Sequence, residues 1–178
     1  MKIILFIFLV MASGLTLAQL APIGQFDHHQ DVGNPSKAGA AMYNTNDQTY
    51  TISGAGINMW TKIDQFHFLW KKIKGDFTIS ATIQFVGKGV ADHRKIGIIA
   101  RDELTTNSRY ADACVHGDDL TSLQYRPTDT SNTSQVALSV FHPTDIEFSR
   151  KGDVFTFSAA TFGQNYKSVS QELDLNDE

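Results

Sequence analysis

The sequence has a single cysteine, Cys114, in 178 residues. One thiol forms no internal disulfide, so a hydrophobic core has to hold the domain together. Helical periodicity is missing as well. After residue 18 no long segment repeats apolar residues at i, i+3, i+4 and i+7, which argues against a helical or parallel α/β architecture. Positive charge is scarce and scattered: 15 Lys and Arg stand against 19 Asp and Glu, a formal net charge of −4. Without a basic patch, nucleic-acid binding is excluded. Catalytic signatures are absent too. No Gly-x-Ser-x-Gly elbow occurs. Gly54-Ala55-Gly56 and Gly87-Lys88-Gly89 lack both the Lys-Ser/Thr or third Gly of a phosphate loop and a following helix, so they read as β-turns. Cys114 falls in a strand pattern with no cysteine–histidine arrangement, the setting of a buried, inert thiol.

What is present begins at the N-terminus. Lys2 precedes an apolar run over residues 3–11, and residues 12–18 turn small, with Thr16 and Ala18 where a signal peptidase reads. This is the pattern of a secretory signal peptide over 1–18, with the mature chain starting at Gln19. The run is shorter than the ~20 residues a spanning helix needs. No cysteine follows it for lipid attachment. The expectation is a secreted, periplasmic or cell-surface protein with no membrane span after cleavage.

Period-two alternation dominates the remainder. Phe77, Ile79, Ala81, Ile83 and Phe85 alternate with Thr78, Ser80, Thr82 and Gln84, giving one apolar and one wet face. Similar patterns predict strands over 48–53, 65–72, 95–102, 109–116, 122–126, 145–150, 154–161 and 166–173. Gly75, Gly152 and Gly163 sit between strand signals, where tight hairpins need a positive φ. Twelve Phe supply the core that the missing disulfides demand. The fold class expected is all-β, an antiparallel β-sandwich. Its parts are the signal peptide 1–18, an irregular segment 19–40 rich in Gly, Pro, Ser and His, and the sandwich domain 41–178. Residues 127–135 are polar and read as an exposed loop. The acidic turn Asp174 to Glu178 ends the sequence where a further strand is expected, so the domain reads as truncated at its C-terminus.

Several blocks together are specific: Gly54-Ala55-Gly56-Ile57-Asn58-Met59-Trp60, Asp64-Gln65-Phe66-His67-Phe68-Leu69-Trp70, Gly75-Asp76-Phe77, His93-Arg94-Lys95-Ile96-Gly97, Arg101, Ser108, Tyr110, and His116-Gly117-Asp118-Asp119-Leu120-Thr121-Ser122-Leu123-Gln124-Tyr125-Arg126. From about Gly24 onward the chain resembles the concanavalin A-like (laminin G-like) sandwich module of secreted bacterial proteins, many from the Bacteroidetes. There the module often precedes a TolB-like β-propeller. The resemblance implies a concanavalin A-like jelly roll, one or two closing strands beyond Glu178 and a propeller partner in a longer chain. It defines no molecular function. The family usually has Gly where this chain has Asp119.

Catalysis by a glycosidase of this fold needs two carboxylates on one strand face, flanking the scissile bond. The nearest pattern, Glu172-Leu173-Asp174-Leu175-Asn176-Asp177, lacks the final Glu and sits where the chain leaves its last strand. Asp76, in a turn, and Asp102 and Glu103, at a strand end, are no better placed. An enzyme is therefore not expected. Adjacent His28 and His29 point in opposite directions on an extended chain and do not chelate one ion together. Asp118 and Asp119 beside His116 are the candidate metal ligands, with calcium the ion to test against a plain hydrated turn. Sugar binding needs an aromatic platform and planar polar groups. The candidate ligand-binding residues are Trp60, His67, Arg101, Tyr110, Gln124 and Arg126. Trp60 lies in a loop, whereas Trp70 alternates with Phe66 and Phe68 and reads as core. The competing reading makes His67, Arg101 and Arg126 a structural polar network. The expected function is a non-catalytic secreted binding module for a glycan. The alternatives are a protein-interaction module docking on a downstream TolB-like β-propeller and, last, a glycoside hydrolase.

Overall fold

A computed structural model describes residues 23–175. The expected signal peptide, and Asn176 and Asp177, lie outside the described residues. Twelve strands and no helix make up the described chain. They are β1 (His28–Val32), β2 (Ala40–Asn44), β3 (Thr49–Ser53), β4 (Phe66–Trp70), β5 (Phe77–Thr82), β6 (Lys95–Arg101), β7 (Tyr110–His116), β8 (Thr121–Arg126), β9 (Ser134–Ala137), β10 (Asp145–Lys151), β11 (Val154–Ala160) and β12 (Lys167–Glu172). All pairings are antiparallel. The protein is an all-β sandwich, as its alternation predicts.

Two four-stranded sheets form the layers, in the orders β12-β11-β10-β5 and β6-β7-β8-β9. Register explains the core. Phe148 of β10 lies between Ile79 of β5 and Phe157 of β11, and Phe157 faces Val169 of β12. Alternation aims all four at the opposite sheet, which answers with Ala111, Ala113 and Val115 of β7 and Leu123 of β8. Phe148, Phe155 and Phe157 are fully buried. At about 1.5–3 kcal/mol for each fully buried large side chain, they replace the cross-links the sequence lacks. Cys114 is buried and free, as expected for an inert thiol. Gly97 of β6 fits because its position admits no side chain: a Cβ there would sit 2.1 Å from the Ala113 carbonyl oxygen.

Two small sheets, β1-β4 and β2-β3, flank the sandwich. β1 lies inside the segment 19–40 that the sequence reads as irregular. It has one apolar residue, Val32, and no alternation to betray it. Side-chain bonds hold it to β4 instead: His67 Nδ1 lies 2.9 Å from Asp31 and His67 Nε2 lies 3.0 Å from His29 Nδ1. β9 likewise begins within the expected loop 127–135. It is a four-residue edge strand, mostly exposed, and backbone pairing to β8 defines it rather than burial. Trp70 is half-buried against His28, with ring centroids 4.8 Å apart.

Candidate functional site

The outer face of sheet β6-β7-β8-β9 carries the chemistry. Register sets its residues in rows. Arg101, Tyr110 and Arg126 form the first row. Ile99, Asp112, Gln124 and Gln135 form the second, and Gly97, Cys114, Ser122 and Ala137 the third. Lys95 and His116 close the face. A face that points away from the core is ordinarily wet, yet Tyr110, Asp112, Cys114, His116, Ser122, Gln124 and Arg126 are all buried. The segment before β4 lies against them. Lys95 Nζ donates to Asn58 Oδ1 at 3.0 Å, Tyr110 Oη donates to the Met59 carbonyl at 2.7 Å, and Arg126 reaches the Thr61 carbonyl at 2.6 Å.

The first row is a structural lock. Arg126 grips both carboxylate oxygens of Asp64, at 2.6 and 2.7 Å. Its other three N–H donors go to the carbonyls of Ser131, Ser108 and Thr61. All five guanidinium donors are thus used inside the protein. Arg101 adds a longer contact to Asp64 and donates to the carbonyls of Glu103 and Thr105. Burial holds the Arg101 pKa below its usual value, opposed by the Asp64 charge. Tyr110, whose hydroxyl also meets Thr133 at 2.9 Å, titrates well above a free tyrosine because it is buried.

The rows behind the lock differ. Among the described residues, five buried side-chain polar atoms have no hydrogen-bond partner: Trp70 Nε1, Asp112 Oδ1, Thr121 Oγ1, Ser122 Oγ and Gln124 Oε1. Three of them, on Asp112, Ser122 and Gln124, occupy neighbouring positions of this one face. Native interiors leave few such groups unsatisfied. Burial pushes the Asp112 carboxyl up to about 8, against the opposing influence of a Gln124 backbone hydrogen bond and the Lys95 charge. At neutral pH it is a protonated, hydrogen-bond-donating acid. Burial also raises the Cys114 thiol and lowers His116, which keeps its imidazole neutral. The face opens at the β9 edge, where Gln135 and Ala137 are exposed. Gln124 Nε2 donates to Gln135 Oε1 at 3.3 Å. Beside that edge Trp60 is 39% exposed, its carbonyl accepting from the Thr133 amide.

The six residues singled out for ligand binding therefore part company. Arg101, Tyr110 and Arg126 share the face but are engaged within the protein. Gln124 shares it and keeps a free acceptor. Trp60 is exposed at its edge. His67 lies elsewhere, in the β1-β4 sheet between Asp31 and His29. The hydrogen bond from His67 lowers the Asp31 pKa, with help from the Gly39 amide. The polar-network reading describes Arg101 and Arg126, and it lacked their anion. Asp64 stands just before β4, where no alternation marks it as a partner, but two arginines on a dry face require a carboxylate. Asp112 was more legible, since alternation along β7 puts it with Tyr110, Cys114 and His116.

Asp118 and Asp119 do not converge. Asp118 pairs with His93 at 3.0 Å and Asp119 with His142 at 2.5 Å. Among the described residues no group of three or more His, Cys, Asp or Glu is placed to hold a metal ion. Asp119, standing where the resembled family has Gly, adopts a φ of +74°. It takes the left-handed conformation that Gly would supply, which Asp tolerates better than most residues. Compared with known proteins, the chain matches no protein-family model, no curated protein and no solved structure.

Proposed function

We propose that this chain is a non-catalytic, secreted binding module that takes a glycan over the β9 edge of sheet β6-β7-β8-β9. One observation carries the reading: Asp112, Ser122 and Gln124 hold unpartnered polar atoms side by side on that face. Sugar hydroxyls both donate and accept, and they suit this set. Protonated Asp112 donates, Gln124 Oε1 accepts, and Ser122 Oγ does either. Trp60 supplies the apolar plate on which a pyranose C–H face rests. Gly97, Cys114, Ser122 and Ala137 of the third row are small. Arg101, Tyr110 and Arg126 hold the segment carrying Trp60 in place rather than touching ligand. A hydrolase reading finds less support, because Asp112 is the sole carboxylate among these rows and glycosidic cleavage ordinarily uses two.

The test is a glycan array probed with the purified chain, with and without calcium. Binding to a defined subset of glycans is expected in both conditions, since Asp118 and Asp119 are each turned to a different histidine. Trp60→Ala and Gln124→Ala are expected to weaken it by about tenfold or more, as loss of a stacking plate or a buried hydrogen bond does. A blank array from folded protein overturns the reading.

A further inference from the structure

One end of the sandwich carries a second feature that the polar face does not involve. Strand polarity brings four connections together there: residues 83–94, 117–120, 138–144 and 161–166. Ile83 donates its amide to Thr144, Arg94 accepts from Gly117 through its carbonyl, and Leu138 donates to Thr121. Thr161 Oγ1 donates to the Phe141 carbonyl at 3.2 Å and Lys167 Nζ to the Ser139 carbonyl at 3.0 Å. These connections carry Val86, Val90, Phe141, Phe162 and Tyr166, all exposed. Phe141 and Phe162 are the two exposed phenylalanines among the described residues, at 71% and 83%. The others are packed. Exposed apolar side chains gathered in one place mark an interaction surface.

The loop that holds Phe141 forward is also strained. Four non-glycine residues of the described chain have positive φ, and two of them, Asp119 and His142, grip each other. Their contact, His142 Nδ1 to Asp119 Oδ1, ties the β7–β8 turn to the residue directly after Phe141. Left-handed backbone at non-glycine residues is uphill and persists where surrounding contacts impose it, often at functional sites.

We propose that this end of the sandwich is a lipid-binding surface, inserting Phe141 and Phe162, with Val86 and Val90 beside them, into the headgroup–acyl boundary of a bilayer. The shape of the surface favours a bilayer over a protein partner. The apolar groups are separate convex tips on different loops, and Val90 is more exposed than in an extended chain, at 107%. Tips of that kind fit a deformable phase, whereas protein interfaces match rigid packed surfaces. The charges fit a bilayer of low surface charge: Lys88, Arg94 and Lys167 offset Asp92, Asp118 and Asp119. Tyr166 has the amphipathic ring found at membrane–water boundaries. No helix of the described chain is long and apolar enough to cross a membrane, so contact through these loops is peripheral.

The experiment compares the purified chain with Phe141→Asp/Phe162→Asp in co-sedimentation with phosphatidylcholine vesicles, with and without phosphatidylglycerol. Both proteins start at Gln19, the expected mature N-terminus, and differ only at the two loop positions, so the difference between them reports the loops. The variant is expected to bind at least about tenfold more weakly, with an unchanged thermal melt because both rings are exposed. Similar affinity for the two vesicle types is expected, with little response to salt. A local reporter accompanies it: Phe162→Trp is expected to shift its emission to the blue when vesicles are added. Equal sedimentation of chain and variant overturns the proposal, as does an unshifted reporter. A dimer in light scattering that disappears in the double variant overturns it too, because the surface would then be a contact between copies.

Discussion

The two sheets turn outer faces of similar sequence character to very different surroundings. On sheet β12-β11-β10-β5 the outer face presents Thr78, Ser80 and Thr82, then Asp145, Glu147 and Ser149, then Thr156 and Ser158, then Ser168 and Ser170. These groups satisfy one another across strands: Ser80 with Glu147, Thr82 with Asp145, Thr156 with Ser170 and Ser158 with Ser168, at 2.8–3.1 Å. Thr78, Ser80, Thr82, Ser168 and Ser170 are exposed, and only Ser158 of the set is buried. On sheet β6-β7-β8-β9 the outer face is also largely polar, but it is buried beneath the segment that carries Asp64. Alternation reports which side of a strand avoids the core. It does not report whether that side is wet. On a wet face water replaces any lost partner. On a dry face every polar group needs a protein partner or a ligand, and one left without either is expensive.

The sharpest way to break this comparison is to delete one carboxylate from each face. Asp64→Ala leaves Arg126 and Arg101 buried without their anion, a change expected to cost about 3–5 kcal/mol. Glu147→Ala on the wet face is expected to fall within about 0.5 kcal/mol. Urea midpoints at constant m value check both. Equal effects would show that the two faces are solvated alike.

The faces also separate by pH. Asp112 holds its proton up to about pH 8 when folded, against 3.8 for an ordinary aspartate. Between those values the folded state binds more protons than the unfolded state. This group therefore contributes most below pH 4, and its contribution is lost as pH rises to about 8. Asp112→Asn has no proton to lose. Relative to the parent, it is expected to gain stability across that window, by at most about 1.4 kcal/mol per pH unit. Thermal melts from pH 5 to 8.5 measure it. Parallel curves would mean that the Asp112 carboxyl is solvated like those of the other sheet.

The same distinction explains what the sequence made legible. Phe77-Ile79-Ala81 and Phe155-Phe157-Ala159 alternate over whole strands, so β5, β11 and the sandwich itself could be read directly. β1 and β9 could not. His28-His29-Gln30-Asp31 offers no apolar stripe, and Ser134-Gln135 lies on an edge where backbone bonds alone define the strand. For the candidate site, β7 and β8 announced which residues share a face. The lock did not announce itself, because Asp64 lies 62 residues from Arg126 and only tertiary structure joins them. Exposed Trp60, and the place of Gln124 on the face opposite Leu123, followed from their positions. The burial of Arg101 and Tyr110 depended on a covering segment that no strand pattern encodes.

The smallest expected effect is the most discriminating for the wet face. Thr156 Oγ1 and Ser170 Oγ lie 2.9 Å apart across β11 and β12. A hydroxyl pair in water exchanges freely with solvent, so its net value is slight. Thr156→Ala and Ser170→Ala, singly and together, are expected to give a coupling energy of about 0.2–0.5 kcal/mol by double-mutant cycle. The cycle cancels the differing β-propensities of the single changes, which would otherwise mask so small a term. A coupling above about 1 kcal/mol would place this pair in a low-dielectric setting, where hydrogen bonds strengthen. Since no segment of the described chain bonds over these two side chains, such a value would mean that this outer face too is covered in solution, and that the contrast between the sheets lies in what covers them rather than in whether they are covered.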